Sequence, residues 1–364
     1  MKVIPGLEGI AVAETDLSLV DGQKGLLLYR GHLVKKLAVS HSFEEVVYLL
    51  WMGQLPSEKE REDFQRLLSE NRALPEHIYK LIIQISSRAD LMTVLRTAIS
   101  ALPLTNDWPP TLEQGAKVLA VIPTMISCWY HQVQGTDIPV IRQDLNHTAH
   151  YLYLLKGQEP SEAHVRALNA YLILTAEHGM NASTFAARVV TSTQSDLLSA
   201  LTAAVGALKG PLHGGAPSEV EEMLDEIRSA ESAESWMRAR LESGERLMGF
   251  GHRVYKTQDP RAQALRQISE ELSVEDDWFQ LALETEQTAL RLLEEYKPGR
   301  RLYTNVEFFA AAVLRAVGLP KALYTPTFAL SRTAGWCAHI FDQADHNRII
   351  RPQSLYTGTI PQED

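Results

Sequence analysis

Helical periodicity runs through this 364-residue chain from about residue 42 onward, and it leaves room for little but an all-α fold. Ser42 with Glu45, Ser57 with Glu60 and Thr111 with Gln114 each set a hydroxyl three residues ahead of a Glu or Gln. That is the reciprocal spacing of a capping box at a helix head. Phe43, Val46, Val47 and Leu50 then share one helical face, and Gly53 offers the left-handed residue that closes a helix. Strand signals are confined to the N-terminus, where residues 18–31 read as a small hairpin or loop unit around Asp21-Gly22.

Long helices with small residues and apolar stripes follow between about 112 and 208, broken by loops at 135–139 and 156–160 and ended by Gly210-Pro211. From about 213 to 310 the chain is more charged, with expected helices at 217–228, 236–242, 260–272 and 278–296. Apolar character returns after Ala310. The shift predicts a larger helical domain, 1–212 with 313–364, interrupted by a smaller one, 213–312.

Composition excludes several classes. Two cysteines, Cys128 and Cys337, stand far apart, against a disulfide framework or a cysteine metal site, and no metal is expected. No run approaches the roughly 20 apolar residues of a membrane span, and the first residues lack the apolar core of a signal peptide, so a cytoplasmic location is expected. A formal net charge of −10 disfavours nucleic acid as a partner. It leaves open a local arginine cluster that holds a small anion.

Three segments carry chemistry. In Gly210-Pro211-Leu212-His213-Gly214-Gly215 the glycines let backbone approach a ligand. His213 is expected just before a helix N-terminus, whose positive field favours a neutral, hydrogen-bond-donating imidazole; a turn histidine that only caps the helix is the other reading. In Gly249-Phe250-Gly251-His252-Arg253-Val254-Tyr255-Lys256, His252 lies among glycines and cations. Asp259-Pro260 downstream starts a helix with Arg261 in its first turn. An arginine there gains nothing from the helix dipole, which points to an anionic ligand. In Tyr303-Thr304-Asn305-Val306-Glu307, Asn305 is an N-cap and Glu307 falls in the first turn, as a general base or as an ordinary dipole-stabilised glutamate.

These segments, with Glu177-His178-Gly179-Met180-Asn181-Ala182-Ser183 and the unit around Asp21-Gly22, occur in the order and spacing of the citrate synthase family. The chain resembles its shorter bacterial members over nearly its whole length. The resemblance implies a citrate-synthase-like fold and an acyltransferase that condenses acetyl-CoA with oxaloacetate. In it His213 holds the thioester carbonyl, His252 polarises the ketone, and Glu307 removes a methyl proton. It assigns oxaloacetate to His178, His252, Arg261, Arg332 and Arg351, the last reaching across the interface of a homodimer. It needs no cofactor, acetyl-CoA being a substrate. Arg253 and Lys256 either contact CoA phosphates or are solvated surface cations; Trp336 and Cys337 pack a core helix.

The chain departs from the family pattern in two places. Glu307 stands where the commonest motif has Asp, adding about 1.5 Å of reach, and Arg88-Ala89-Asp90 replaces a His-Pro-Met sequence found in many relatives. The rival activity is 2-methylcitrate synthesis from propionyl-CoA, since one methylene discriminates by only about 1–3 kcal/mol. A weakly active oxaloacetate or citrate sensor is the reading from outside catalysis.

Overall fold

The computed structural model describes residues 3–214, 216–252, 254–272 and 277–360. Three short antiparallel strands, β1 (Ser18–Asp21), β2 (Leu26–Tyr29) and β3 (His32–Leu33), form the sheet, with Ser18 opposite Tyr29 and Asp21 opposite Leu26. Asp21 closes the turn by accepting from the backbone N–H of Gln23 and Lys24, each at 3.0 Å, an Asx turn.

Everything else of regular structure is helical. The first seven helices are α1 (Val34–Ser40), α2 (Phe43–Met52), α3 (Glu58–Glu70), α4 (Glu76–Ser86), α5 (Leu91–Ser100), α6 (Leu112–Gln134) and α7 (His147–Lys156). Then come α8 (Glu162–Thr175), α9 (Ala182–Ser192), α10 (Leu197–Leu208), α11 (Ala216–Ile227) and α12 (Ala230–Glu242). The last four are α13 (Pro260–Leu272), α14 (Asp277–Tyr296), α15 (Val306–Ala316) and α16 (Tyr324–Asp345). All three capping boxes form, at Ser42, Ser57 and Thr111, and Gly53 adopts the left-handed conformation at the end of α2. Helix α12 begins well before the expected Trp236, because Ala230, Glu231, Ala233 and Glu234 are strong helix formers with too few apolar residues to show a period.

Two helices that the apolar pattern presents as one-faced are buried nearly all round. Residues 43–51 of α2 are all buried except Glu45, and α16 buries most of its length, Trp336 and Cys337 included. Helix α16 is the axle of the core, packed against α2, α6, α8, α9 and α10. On its other side α8 meets α13 and α15, while α11 packs on α15 and α12 on α14. The end of α8 and the starts of α9, α13 and α15 thus gather beside α16, and those helix termini carry the chemistry-bearing residues.

Tyr29 of β2 ties the sheet into this junction most heavily. Buried Tyr29 donates to the carbonyls of Glu177 (2.7 Å) and Ile173 (3.1 Å) and accepts from the Glu177 N–H (3.1 Å). Tyr29→Phe takes the phenol partner from the buried Glu177 N–H and carbonyl, so we expect a loss of about 2 kcal/mol in chemical denaturation, with the far-ultraviolet spectrum unchanged.

Candidate active site

Two loops carrying His252 and Glu307 are zipped together by their backbones. Phe250 bridges Thr304 in antiparallel fashion, Gly251 N–H donates to the Tyr303 carbonyl at 2.7 Å, and Asn305 N–H donates to the Gly249 carbonyl at 2.9 Å. Asn305 also donates through Nδ2 to the Gly251 carbonyl (2.9 Å) while its Oδ1 caps Glu307 N–H (3.0 Å). Gly251 has φ +80°, and a Cβ there would lie 2.9 Å from Leu302, so this crossing needs glycine. From the other side the hairpin turn presses in: Lys256 N–H donates to the Gly22 carbonyl at 2.8 Å.

His252 Nδ1 accepts two backbone N–H groups, from Val254 and Tyr255, both at 3.0 Å. The neutral ring therefore carries its proton on Nε2. That nitrogen lies 3.3 Å from Arg261 Nη2, which is also a donor. Two donors facing one point leave a place for a shared oxygen acceptor. Burial, reinforced by the Arg261 charge, lowers the His252 pKa to about 4.

Buried Arg261 is held by Asp259 through a fork, Nε to Oδ1 at 3.0 Å and Nη2 to Oδ2 at 2.8 Å. Asp259 caps α13 as well, accepting Arg261 N–H at 3.0 Å, and takes Val306 N–H at 3.1 Å from the start of α15. Arg332, on α16, donates from Nε to the Thr175 carbonyl at 2.7 Å and stacks over Phe328 at 4.6 Å. It is only 2% exposed, yet among the described residues it has no carboxylate within ion-pair range. A buried cation without an anionic partner is costly unless a ligand supplies one.

His178 follows α8. Its ring centroid lies 5.4 Å from that of His252, and Nε2 is 3.2 Å from Tyr255 Oη. Burial first, then the charges of Arg261, His252 and Arg332, lower its pKa well below the usual range. His213 sits in the turn after α10 with Nε2 2.9 Å from Ser183 Oγ, which also accepts from Trp336 Nε1 at 3.1 Å. Its pKa falls to about 4 through burial first and the Arg332 charge second. Desolvation dominates this shift, and the Arg332 cation adds to it.

Glu307 lies in the first turn of α15 as expected, half-buried, and its carboxylate has no hydrogen-bond partner among the described residues. Burial raises its pKa to about 7, with Asp259 pushing the same way and Arg261 and Arg332 opposing. The structure thus brings His178, His252, Arg261, Arg332 and Glu307 into one electrostatic neighbourhood, with His213 at its edge beside Ser183. Arg351 is not among them: it is exposed in the segment after α16, beside a surface cavity of about 1250 Å³. Lys256 is exposed, and Arg253 lies outside the described residues. Sequence reasoning missed Tyr255, Ser183 and the second duty of Asp259, which it read only as a cap. Among the described residues no cluster of His, Cys, Asp and Glu can hold a metal.

The Glu307 shift has a definite sign. The folded state holds this proton up to about pH 7, whereas an unfolded glutamate releases it near 4.3. Between those values the unfolded chain ionises while the native carboxyl stays protonated, so a destabilising contribution builds up across that window and is complete above about pH 7. Glu307→Gln should melt higher than wild type at pH 8, and the gain should vanish by pH 4; an equal gain at both pH values would refute the buried charge.

The family model described as "Citrate synthase, C-terminal domain" matches residues 6–353. Citrate synthase 2 of Bacillus subtilis is 40% identical, over 98% of this chain and 96% of its own. A 2-methylcitrate synthase of Shewanella oneidensis is 37% identical, again over 98% and 96%. Among solved structures, the ternary complex of carboxymethyl coenzyme A and oxaloacetate with citrate synthase from Thermoplasma acidophilum superposes with a TM-score of 0.90 at 30% identity, covering 100% of this chain and 98% of that one. With the helical architecture, the loop motifs and the matched length in agreement, the chain belongs to the citrate synthase family of acyltransferases.

Proposed function

We propose that this enzyme condenses acetyl-CoA with oxaloacetate to give citrate and CoA. The observation that carries the reading is the approach of two donors, Arg261 Nη2 and His252 Nε2 at 3.3 Å, with buried Arg332 in the same electrostatic neighbourhood and a carboxylate poised near neutrality. A dicarboxylate with a central ketone suits that arrangement: the guanidinium forks take the carboxylates and His252 Nε2–H takes the ketone oxygen. His178 completes the pocket, steadied by Tyr255.

Each step then has a residue. Glu307 as carboxylate removes a proton from the acetyl methyl group, and His213 holds the developing enolate oxygen. Ser183 Oγ donates to Asn181 Oδ1 at 2.7 Å and lies 2.9 Å from His213 Nε2. When that one hydroxyl proton turns to His213 instead, the imidazole proton stands on Nδ1 for the thioester. The enolate carbon attacks the ketone carbon, and His252 protonates the resulting alkoxide. Water then hydrolyses the citryl thioester, releasing CoA. No cofactor enters this sequence.

The domain division, 1–212 with 313–364 against 213–312, belongs to the same reading, with closure of the smaller part excluding water from the enolate. The exposed segment after α16 supports a homodimer in which Arg351 completes the partner's pocket. Lys256 is exposed where CoA phosphates can be met. No described helix is long and apolar enough to cross a membrane, and we place the enzyme in the cytoplasm with the central oxidation of acetyl groups.

Thiol release from acetyl-CoA and from propionyl-CoA in the presence of oxaloacetate tests the assignment. Acetyl-CoA should give the higher kcat/KM; a preference for propionyl-CoA would assign the 2-methylcitrate activity of the Shewanella relative, and release from neither would leave a sensor. Glu307→Asp should retain turnover, whereas Glu307→Gln should lose on the order of 100-fold or more. Because Glu307 must be ionised while His213 and His252 stay neutral down to about 4, kcat/KM should rise with pH through a limb near 7. Arg351→Ala should raise KM for oxaloacetate while sedimentation still shows a dimer.

A further inference from the structure

The residue immediately before His178 is a fully buried carboxylate that the proposed chemistry does not use. Glu177 Oε1 accepts from Ser18 Oγ at 2.9 Å, from His339 Nε2 at 3.1 Å, and from the backbone N–H of Gly179. It therefore clamps the turn that displays His178 from both ends. Its other oxygen, Oε2, has no hydrogen-bond partner among the described residues and lies against Gly335 of α16. A Cβ at position 335 would come within 2.6 Å of that oxygen and 2.3 Å of the Ala176 carbonyl, so only glycine lets α16 approach this turn.

His339 has a fixed tautomer. Its Nδ1 lies 2.9 Å from Arg188 Nη1, and a guanidinium only donates, so Nδ1 accepts and the ring proton is on Nε2, aimed at Glu177. Arg188 is held in turn by Asp342 Oδ2 at 2.7 Å and Gln343 Oε1 at 3.1 Å. The result is a one-directional chain of hydrogen bonds from Arg188 through His339 to Glu177, with Asp342 behind it. Glu177, His339 and Arg188 are 0%, 0% and 4% exposed, so water does not compete with these bonds. The Glu177 charge also attracts Arg332, without the two forming an ion pair.

We infer that Glu177, oriented by His339 and Arg188, is a positioning residue for the dicarboxylate pocket: it fixes the turn presenting His178 and supplies the nearby negative charge that keeps Arg332 buried yet free for substrate. The inference rests on the proposed roles of His178 and Arg332 in binding oxaloacetate. A direct ion pair would occupy Arg332. A carboxylate saturated by Ser18, Gly179 and His339 and set back from the arginine offsets its charge without competing for its donors.

The test measures oxaloacetate binding by calorimetry, and steady-state kinetics for both substrates, in His339→Phe, His339→Gln and Ser18→Ala. Phe keeps the ring and removes the donor; Gln restores an N–H near the Nε2 position. His339→Phe should raise Kd and KM for oxaloacetate about tenfold, with kcat at saturation and KM for acetyl-CoA within about twofold. His339→Gln should recover most of the loss. Ser18→Ala, a small change at a half-buried strand residue, should raise the oxaloacetate KM about two- to threefold, and it decides the matter if His339→Phe does not fold. Unchanged oxaloacetate affinity in the folded variants, or a fall in kcat alone, would overturn the inference while leaving the proposed function intact. Wild type that binds no oxaloacetate would remove both.

Discussion

The buried carboxylate of Asp259 is the interaction on which the site depends. It accepts the Arg261 side chain through a fork, the Arg261 backbone N–H, and the Val306 N–H that opens α15. One anion thus sets the start of α13, the start of α15 and the aim of the guanidinium between them. Because Val306 precedes Glu307, the same carboxylate fixes where the proposed base stands relative to the arginine. A neutral residue here would leave an uncompensated cation and an unsatisfied N–H in the same buried place.

Charge in this region is deliberately unbalanced. Asp259 answers Arg261, but Arg332 has only distant carboxylates, and the surrounding histidines are kept neutral by burial and by those two cations. Neutral imidazoles donate hydrogen bonds without adding positive charge, so they can polarise carbonyls while the arginines handle carboxylates. The same burial that silences the histidines raises Glu307, which gives one desolvated environment two opposite uses.

Much of this was legible in the chain. Capping boxes at Ser42, Ser57 and Thr111, the Asp21-Gly22 turn, the Asp259-Pro260 helix start and the Asn305 cap are local, and local spacing determines them. The glycine-flanked histidines and Arg261 stood out because their motifs are unusual for packing, whereas Arg332 and His178 came from the family resemblance alone. What sequence spacing could not convey was partnership across long separations. Tyr255 reads as a core aromatic until it is seen against His178, Ser183 as a helix residue until it meets His213 and Trp336, and Glu177 as the neighbour of a motif until His339 faces it. Burial and Arg332 act on His213 through space, and neither is visible in sequence spacing. Arg351 is a different case, since its own chain gives it nothing in the pocket to touch.

The hairpin turn at Gly22 has a consequence for how this protein is made. A Cβ at that glycine would come within 2.1 Å of the Val254 carbonyl, so one of the first turns synthesised lies flush against the loop bearing His252. Arg332, on α16, is among the last residues of the site to leave the ribosome. Contacts between segments so distant in the chain form slowly, after their loops have closed. The N-terminal turn must wait for its partner loop while the rest is translated. A product that stops short of α16 lacks Arg332, and with it one of the two buried cations of the candidate site.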